Sequence, residues 1–131
     1  MSHSGNHVAF GPLLLRMGLG IIFMVHGLQK WIQWKQTVDF FRSLGLPDFL
    51  TYLVAGIETF AGVALFLGIF TPVAASLVAL VMLGAMVTAK SGSAFVGGYE
   101  FDFLILLASI SLIFTGPGTL SLANLLKNPS G

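Results

Sequence analysis

Four apolar stretches, each close in length to the hydrocarbon core of a bilayer, leave this chain few ways to fold. A helix that crosses that core needs about 20 mostly apolar residues. In lipid, the backbone polar groups of the segment must be satisfied within it. The sequence offers such stretches at about 13–32, 49–69, 72–89 and 99–115. Gly11-Pro12, Leu46-Pro47 and Thr71-Pro72 stand before the first three, and proline suits a helix start because its missing N–H would be unpaired there anyway. Gly116-Pro117-Gly118 stops the fourth. Charged residues make up only 8% of the chain, where soluble domains carry roughly 25%, so the solvent for most of it is lipid. The expected fold class is all-α: a transmembrane antiparallel four-helix bundle, forming one integral membrane domain over residues 1–131 with the lipid bilayer as its first partner.

The connections refine this. The second and third stretches are separated by almost nothing and must form a tight hairpin. In the link 33–46, Trp34, Val38 and Phe41 recur at helical spacing while Lys35, Gln36, Asp39, Arg42 and Ser43 fall elsewhere. That pattern predicts a short amphipathic helix lying in the membrane interface between the first two spans. Trp31, Trp34, Phe49 and Tyr52 fit an aromatic belt at the same surface. The link 91–98 is rich in Gly and Ser and reads as irregular. Met1–Phe10 has no Lys or Arg, so it lacks the basic region of a signal peptide and is expected to be a retained polar tail. Thr119–Gly131 reads as a second short tail.

Several chemistries are excluded or disfavoured. With no cysteine, the chain can form no disulfide, thiol relay or thiolate metal site. A net charge of +1 gives no basic footprint for nucleic acid. No phosphate loop, dinucleotide fingerprint or metal-ligand spacing is present. Membrane haem wants two opposed ligands, and only His26 lies in a span, His3 and His7 being in the tail. No metal and no covalent cofactor are expected. A quinone is compatible, because it enters from lipid and needs only a few polar groups near one membrane surface.

Charges inside spans are expensive and mark functional positions. They are few here: Arg16, His26 and Lys30 in the first helix, Glu58 in the second, Lys90 at the end of the third, and Glu100 and Asp102 opening the fourth. In an up-down-up-down bundle the first and third links share one side. At 1.5 Å per residue, His26 lies roughly 9 Å inside that side and Glu58 roughly 13 Å. Lys30, Lys90, Glu100 and Asp102 then sit near its mouth, and Arg16 alone lies toward the other end. Arg16, Gly20, Phe23, Gly27 and Lys30 share one stripe, flanked by His26, while Thr51, Ala55, Glu58 and Gly62 form a stripe on the second helix. Small residues let helices approach closely, so Glu58 points at the bundle core or at a partner helix, and a homo-oligomer is compatible with the pattern. Structural readings stand beside the functional ones. Glu58 can pair with a nearby Lys or His, His26 can be a packing residue, Lys30 can snorkel to the interface, and Glu100 and Asp102, the latter more than the former, can cap the fourth helix.

These residues, in their order and spacing, resemble the DoxX family. Arg16-Met-Gly-Leu-Gly20 and His26-Gly27-Leu-Gln-Lys30 are similar to its opening helix. Glu58-Thr-Phe-Ala-Gly62 and Leu67-Gly68-Ile-Phe-Thr71-Pro72 are similar to its second-helix acid and hairpin, and Gly98-Tyr99-Glu100 and Gly116-Pro117-Gly118-Thr-Leu-Ser121 to its fourth-helix entry and terminal motif. The family often has an acid where this chain has Ala123 and a His where it has Lys90. The resemblance implies a four-helix protein of bacterial inner-membrane type. Some family members are linked to thiosulfate:quinone oxidoreductase and others to membrane redox-defence complexes, so soluble redox enzymes are the implied partners.

Two functional readings follow. The first is a redox-associated membrane subunit with a polar pocket lined by His26, Glu58 and Glu100. There Glu58 and His26 handle protons, Lys30 or Lys90 balances charge, Arg16 and Asp102 complete the ligand-binding set, and quinone is the ligand. The second is a non-enzymatic scaffold, assembly factor or carrier. The bias of Lys30, Lys35, Arg42 and Lys90 toward one side places the polar mouth in the cytoplasm.

Overall fold

A computed structural model describes residues 4–127. Its regular elements are all helical: α1 (Ser4–Ile32), α2 (Trp34–Ser43), α3 (Asp48–Leu67), α4 (Thr71–Val87), α5 (Glu100–Thr115) and α6 (Leu122–Lys127), with an irregular wide turn at Phe95–Tyr99 leading into α5. The four expected stretches are α1, α3, α4 and α5. Of these, α1, α3 and the segment Phe95–Thr115 are long and apolar enough to cross a bilayer. At 17 residues, α4 reaches about 26 Å, just short of the roughly 30 Å hydrocarbon core.

The two tails differ from expectation. α1 starts before residue 13, with Pro12 inside it. The proline forgoes a hydrogen bond to the carbonyl four residues earlier, and its ring packs beneath Gly118, where a Cβ would stand only 3.2 Å from Pro12 Cβ. His7 therefore lies on a helix, exposed, rather than in a tail; His3 lies outside the described residues. The C-terminal segment is also built: the Ser121 hydroxyl accepts the Asn124 N–H at 3.2 Å and so opens α6.

The α3–α4 hairpin closes in three residues. Gly68 takes φ +78°, and its N–H and that of Ile69 both reach the Ala64 carbonyl, at 2.8 and 3.0 Å. The doubled use of Ala64 leaves the Leu65 carbonyl without its usual helical donor, an orphan typical of a helix end.

α1 packs along α3 and α4 along α5, while α3 also meets α4 and α1 meets α5. Leu19 and Phe23 of α1, Leu65 of α3, Val78 of α4 and Leu112 of α5 share the core. The α1–α3 contact is unusually close. A Cβ on Gly20 would lie 2.8 Å from the Phe66 backbone nitrogen, and one on Gly62 would lie 2.5 Å from that of Met24. Backbones touch there because neither helix has a side chain in the way. Outward faces are apolar, as lipid requires: Ile32 and Phe114 are more than four-fifths exposed.

Candidate intramembrane polar site

The close α1–α3 contact brings two charges together. Gly27 sits against the backbone of Thr59, whose nitrogen would be 2.7 Å from a Cβ at that position. One turn along, Lys30 Nζ lies 2.9 Å from Glu58 Oε2. The contact is an ion pair without the alignment of a hydrogen bond. Glu58 is 4% exposed, on the buried stripe of α3 with Thr51, Ala55 and Gly62. Isolated, such a carboxylate would be costly to keep ionised, and Lys30 offsets that cost. The Lys30 side chain is itself about a quarter exposed. It reaches the acid from an open groove of about 250 Å³ that it lines with Gln29, Gln33, Gln36, Thr37 and Phe40.

The junction of α1 and α2 builds this groove. α2 is helical and amphipathic, as the 33–46 pattern predicts of that link: Phe41 is buried, Trp34 and Val38 are half-buried, and Lys35, Gln36, Asp39, Arg42 and Ser43 are exposed. The Thr37 hydroxyl contacts the carbonyls of Gln33 at 2.8 Å and Lys30 at 3.2 Å, fastening α2 to the end of α1. Trp31 and Trp34 stack with ring centroids 5.1 Å apart, and Trp34 meets Tyr52 at 4.4 Å. Trp31 Nε1–H donates to Thr59 Oγ1 at 3.2 Å, and that hydroxyl donates on to the Ala55 carbonyl at 2.8 Å. Phe49 is exposed. Arg42 holds Asp48 with two contacts of 2.8 and 2.6 Å. This hydrogen bonding, with the nearby negative charge, raises the Arg42 pKa above its ordinary value.

The other expected site residues lie apart from the pair. His26, which flanks the stripe, is exposed and forms no ion pair with Glu58. A single step along a helix turns a side chain by about 100°, so adjacency to Gly27 carries His26 off the buried face. Lys90 lines a different recess, with no residue in common with the groove around Lys30. The two acids of α5 exchange their expected parts. Glu100, the first residue of α5, bends back to accept the Gly97 N–H at 3.2 Å, whereas Asp102 is buried on the stripe of Ile105, Ser109 and Leu112. No hydrogen bond or ion pair joins Asp102 to Lys30 or Glu58 among the described residues.

Arg16, at the opposite end, is 1% exposed and has no acidic partner among the described residues. Its Nη1 donates to the orphaned Leu65 carbonyl at 3.2 Å and its Nη2 to the Leu120 carbonyl. Gly68 lies directly against the guanidinium, and the Ala123 N–H donates to the Gly68 carbonyl at 3.1 Å. Arg16 thus clasps the C-terminal segment onto the hairpin rather than joining a ligand set. Sequence reasoning missed that role, since both partners are carbonyls. It also missed Gln29, Gln33 and Gln36, whose i, i+4, i+7 spacing was available as a signal.

Apolar helices of spanning length, with an ion pair buried on its acidic side between two of them, define a small multi-pass membrane protein. The chain belongs to the DoxX family, whose profile matches residues 11–91. It is 47% identical over 112 residues to "Putative oxidoreductase CatD" of Bacillus subtilis (strain 168), covering 86% of this chain and 84% of that one. It is 30% identical over 133 residues to "Uncharacterized membrane protein Rv3486" of Mycobacterium tuberculosis (strain ATCC 25618 / H37Rv), covering 87% and 82%. No solved structure matches the chain.

Proposed function

We propose that this protein is a redox-associated subunit of the bacterial inner membrane that binds a quinone headgroup beside Lys30 and Glu58. In this reading α1, α3, α4 and α5 form an antiparallel transmembrane four-helix bundle, and α2 lies in the interface. Lys30, Lys35, Arg42 and Lys90 put the groove on the cytoplasmic side. The observation that carries the reading is the Lys30–Glu58 ion pair, buried on the Glu58 side and open to a groove on the Lys30 side. A quinone supplies the redox chemistry that a chain without cysteine lacks. The residues present suit it: Lys30 and the groove amides can donate to carbonyl oxygens, Phe40 offers apolar contact, and Glu58 can hold a proton within the span. Lys30, rather than Lys90, balances Glu58. His26 faces outward and enters the site only where a second copy covers it. The similarity to a protein named as an oxidoreductase supports the redox reading.

Both tryptophans of the chain, Trp31 and Trp34, stand at this end, so intrinsic fluorescence reports on it selectively. Titration of the detergent-purified protein with a short-chain quinone should quench that fluorescence. Glu58→Gln and Lys30→Met should each weaken the apparent affinity about tenfold, the worth of one charge-assisted hydrogen bond. Equal titrations for wild type and both variants would remove the quinone site. Recovery of varied membrane clients, instead of soluble redox enzymes, by the tagged protein would then favour the scaffold reading.

A further inference from the structure

Among the described residues, Lys90 is the one basic side chain withdrawn from full exposure that lacks a close partner, Lys35 being exposed. Lys30 meets Glu58, Arg42 meets Asp48, and Arg16 is engaged by carbonyls. Lys90, half-buried just beyond α4, forms no ion pair among the described residues; its one polar contact there is a long one, 3.4 Å, to the Gly98 carbonyl. It lines an open recess of about 510 Å³ with Ser91, Gly92, Ser93 and Tyr99, floored by Met86 and Val87. Among the described residues the hydroxyls of Ser91, Ser93 and Tyr99 make no hydrogen bond either. The loop is shaped around them. Gly92 turns the chain at φ +82°, the Ser93 N–H closes onto the Lys90 carbonyl at 3.0 Å, and Gly98 packs so near Ser93 that a Cβ would stand 3.0 Å from it.

An ammonium and three uncommitted hydroxyls around one recess match a tetrahedral oxyanion, which offers several acceptor oxygens and the missing negative charge. The nearby acids do not compete for it. Glu100 is turned to the Gly97 N–H, Asp102 lies on the buried face of α5, and neither lines the recess. The surroundings indicate the source. The recess opens where the apolar α4 ends, at headgroup depth for a spanning helix, and exposed Val87 and Val96 beside it offer an apolar surface to acyl chains. We propose that Lys90, Ser91, Ser93 and Tyr99 form a phosphate site occupied by the headgroup of an anionic phospholipid. The site is separate from the Lys30–Glu58 groove and does not depend on quinone binding.

The test uses the full chain in nanodiscs of equal parts phosphatidylcholine and phosphatidylglycerol, released into native mass spectrometry. Phosphatidylglycerol should be retained preferentially. Lys90→Gln should lower its retention about five- to tenfold, the effect of one cation at a lipid surface, and Lys90→Arg should restore it. Removing both serine hydroxyls (Ser91→Ala with Ser93→Ala) leaves the charge in place and should lower retention about threefold. A parallel arm titrates inorganic phosphate against the detergent-solubilised protein by phosphorus NMR. Phosphate broadening lost in Lys90→Gln, with lipid retention unchanged, would overturn the lipid source and keep the oxyanion site. No change in either arm would overturn the site. The quinone titration read from Trp31 and Trp34 should be the same in Lys90→Gln as in wild type, so the two proposals fail separately.

Discussion

The two ends of this molecule hold a cation in opposite ways. At the hairpin end, the Arg16 guanidinium is wrapped by backbone: one carbonyl from the end of α3, another from the C-terminal loop, and Gly68 pressed against it. At the other end, Lys30 faces a carboxylate across 2.9 Å and borders an open groove. Carbonyls cannot change charge and have no reason to let go, so the first arrangement fixes structure. A carboxylate can gain a proton, and a lysine with a quarter of its side chain in the open can be drawn toward a ligand. The contrast separates an ion that holds the chain together from a pair able to respond.

The sharpest way to break that contrast is Arg16→Ala. It strands the Leu65 and Leu120 carbonyls and leaves a void, for an expected loss of about 3–5 kcal/mol. The loss should be measured as a lower unfolding midpoint in detergent together with faster proteolysis beyond Gly116. The quinone titration of the surviving folded fraction should stay as in wild type; a weakened titration would mean that the ends are coupled. Gly27→Ala should act at the other end. Its new methyl meets the Thr59 backbone, and overpacking of this kind costs about 1–3 kcal/mol. By pushing α1 from α3 it should also lengthen the Lys30–Glu58 contact and weaken quinone quenching, a double effect absent from Arg16→Ala. The smallest effect belongs to Arg42→Ala. Its partner Asp48 is strongly engaged, but both side chains are about half exposed, and exposed pairs contribute little. The melting midpoint should not move measurably.

Much of this arrangement was legible in the sequence because lipid enforces simple rules. Proline and glycine punctuation placed three helix ends within two residues, and the up-down alternation of four spans fixed which ends lie together. From that alone, Lys30 and Glu58 share one half of the molecule. What remained hidden has specific causes. The partners of Arg16 lie 49 and 104 residues away and are backbone atoms, which have no side-chain signature. His26 sits next to the right stripe, and depth along a helix says nothing of direction around it. Glu100 and Asp102 are two residues apart on one helix, so only the packing of α5 decides which turns inward. Lys90 shared an expected mouth with Lys30, but the wide turn at Phe95–Tyr99 gives it a recess of its own.

The clasp at Arg16 also fixes an order of events during synthesis. Arg16 enters the bilayer on α1, and Leu120 is added 104 residues later. At cellular translation speeds of about 5–20 residues per second, that interval is on the order of 5–20 s. For that time the nascent first helix carries a cation whose final partner does not yet exist. This bond therefore becomes available only after α5 has been made, and a transcript truncated before Leu120 yields four hydrophobic helices with no latch.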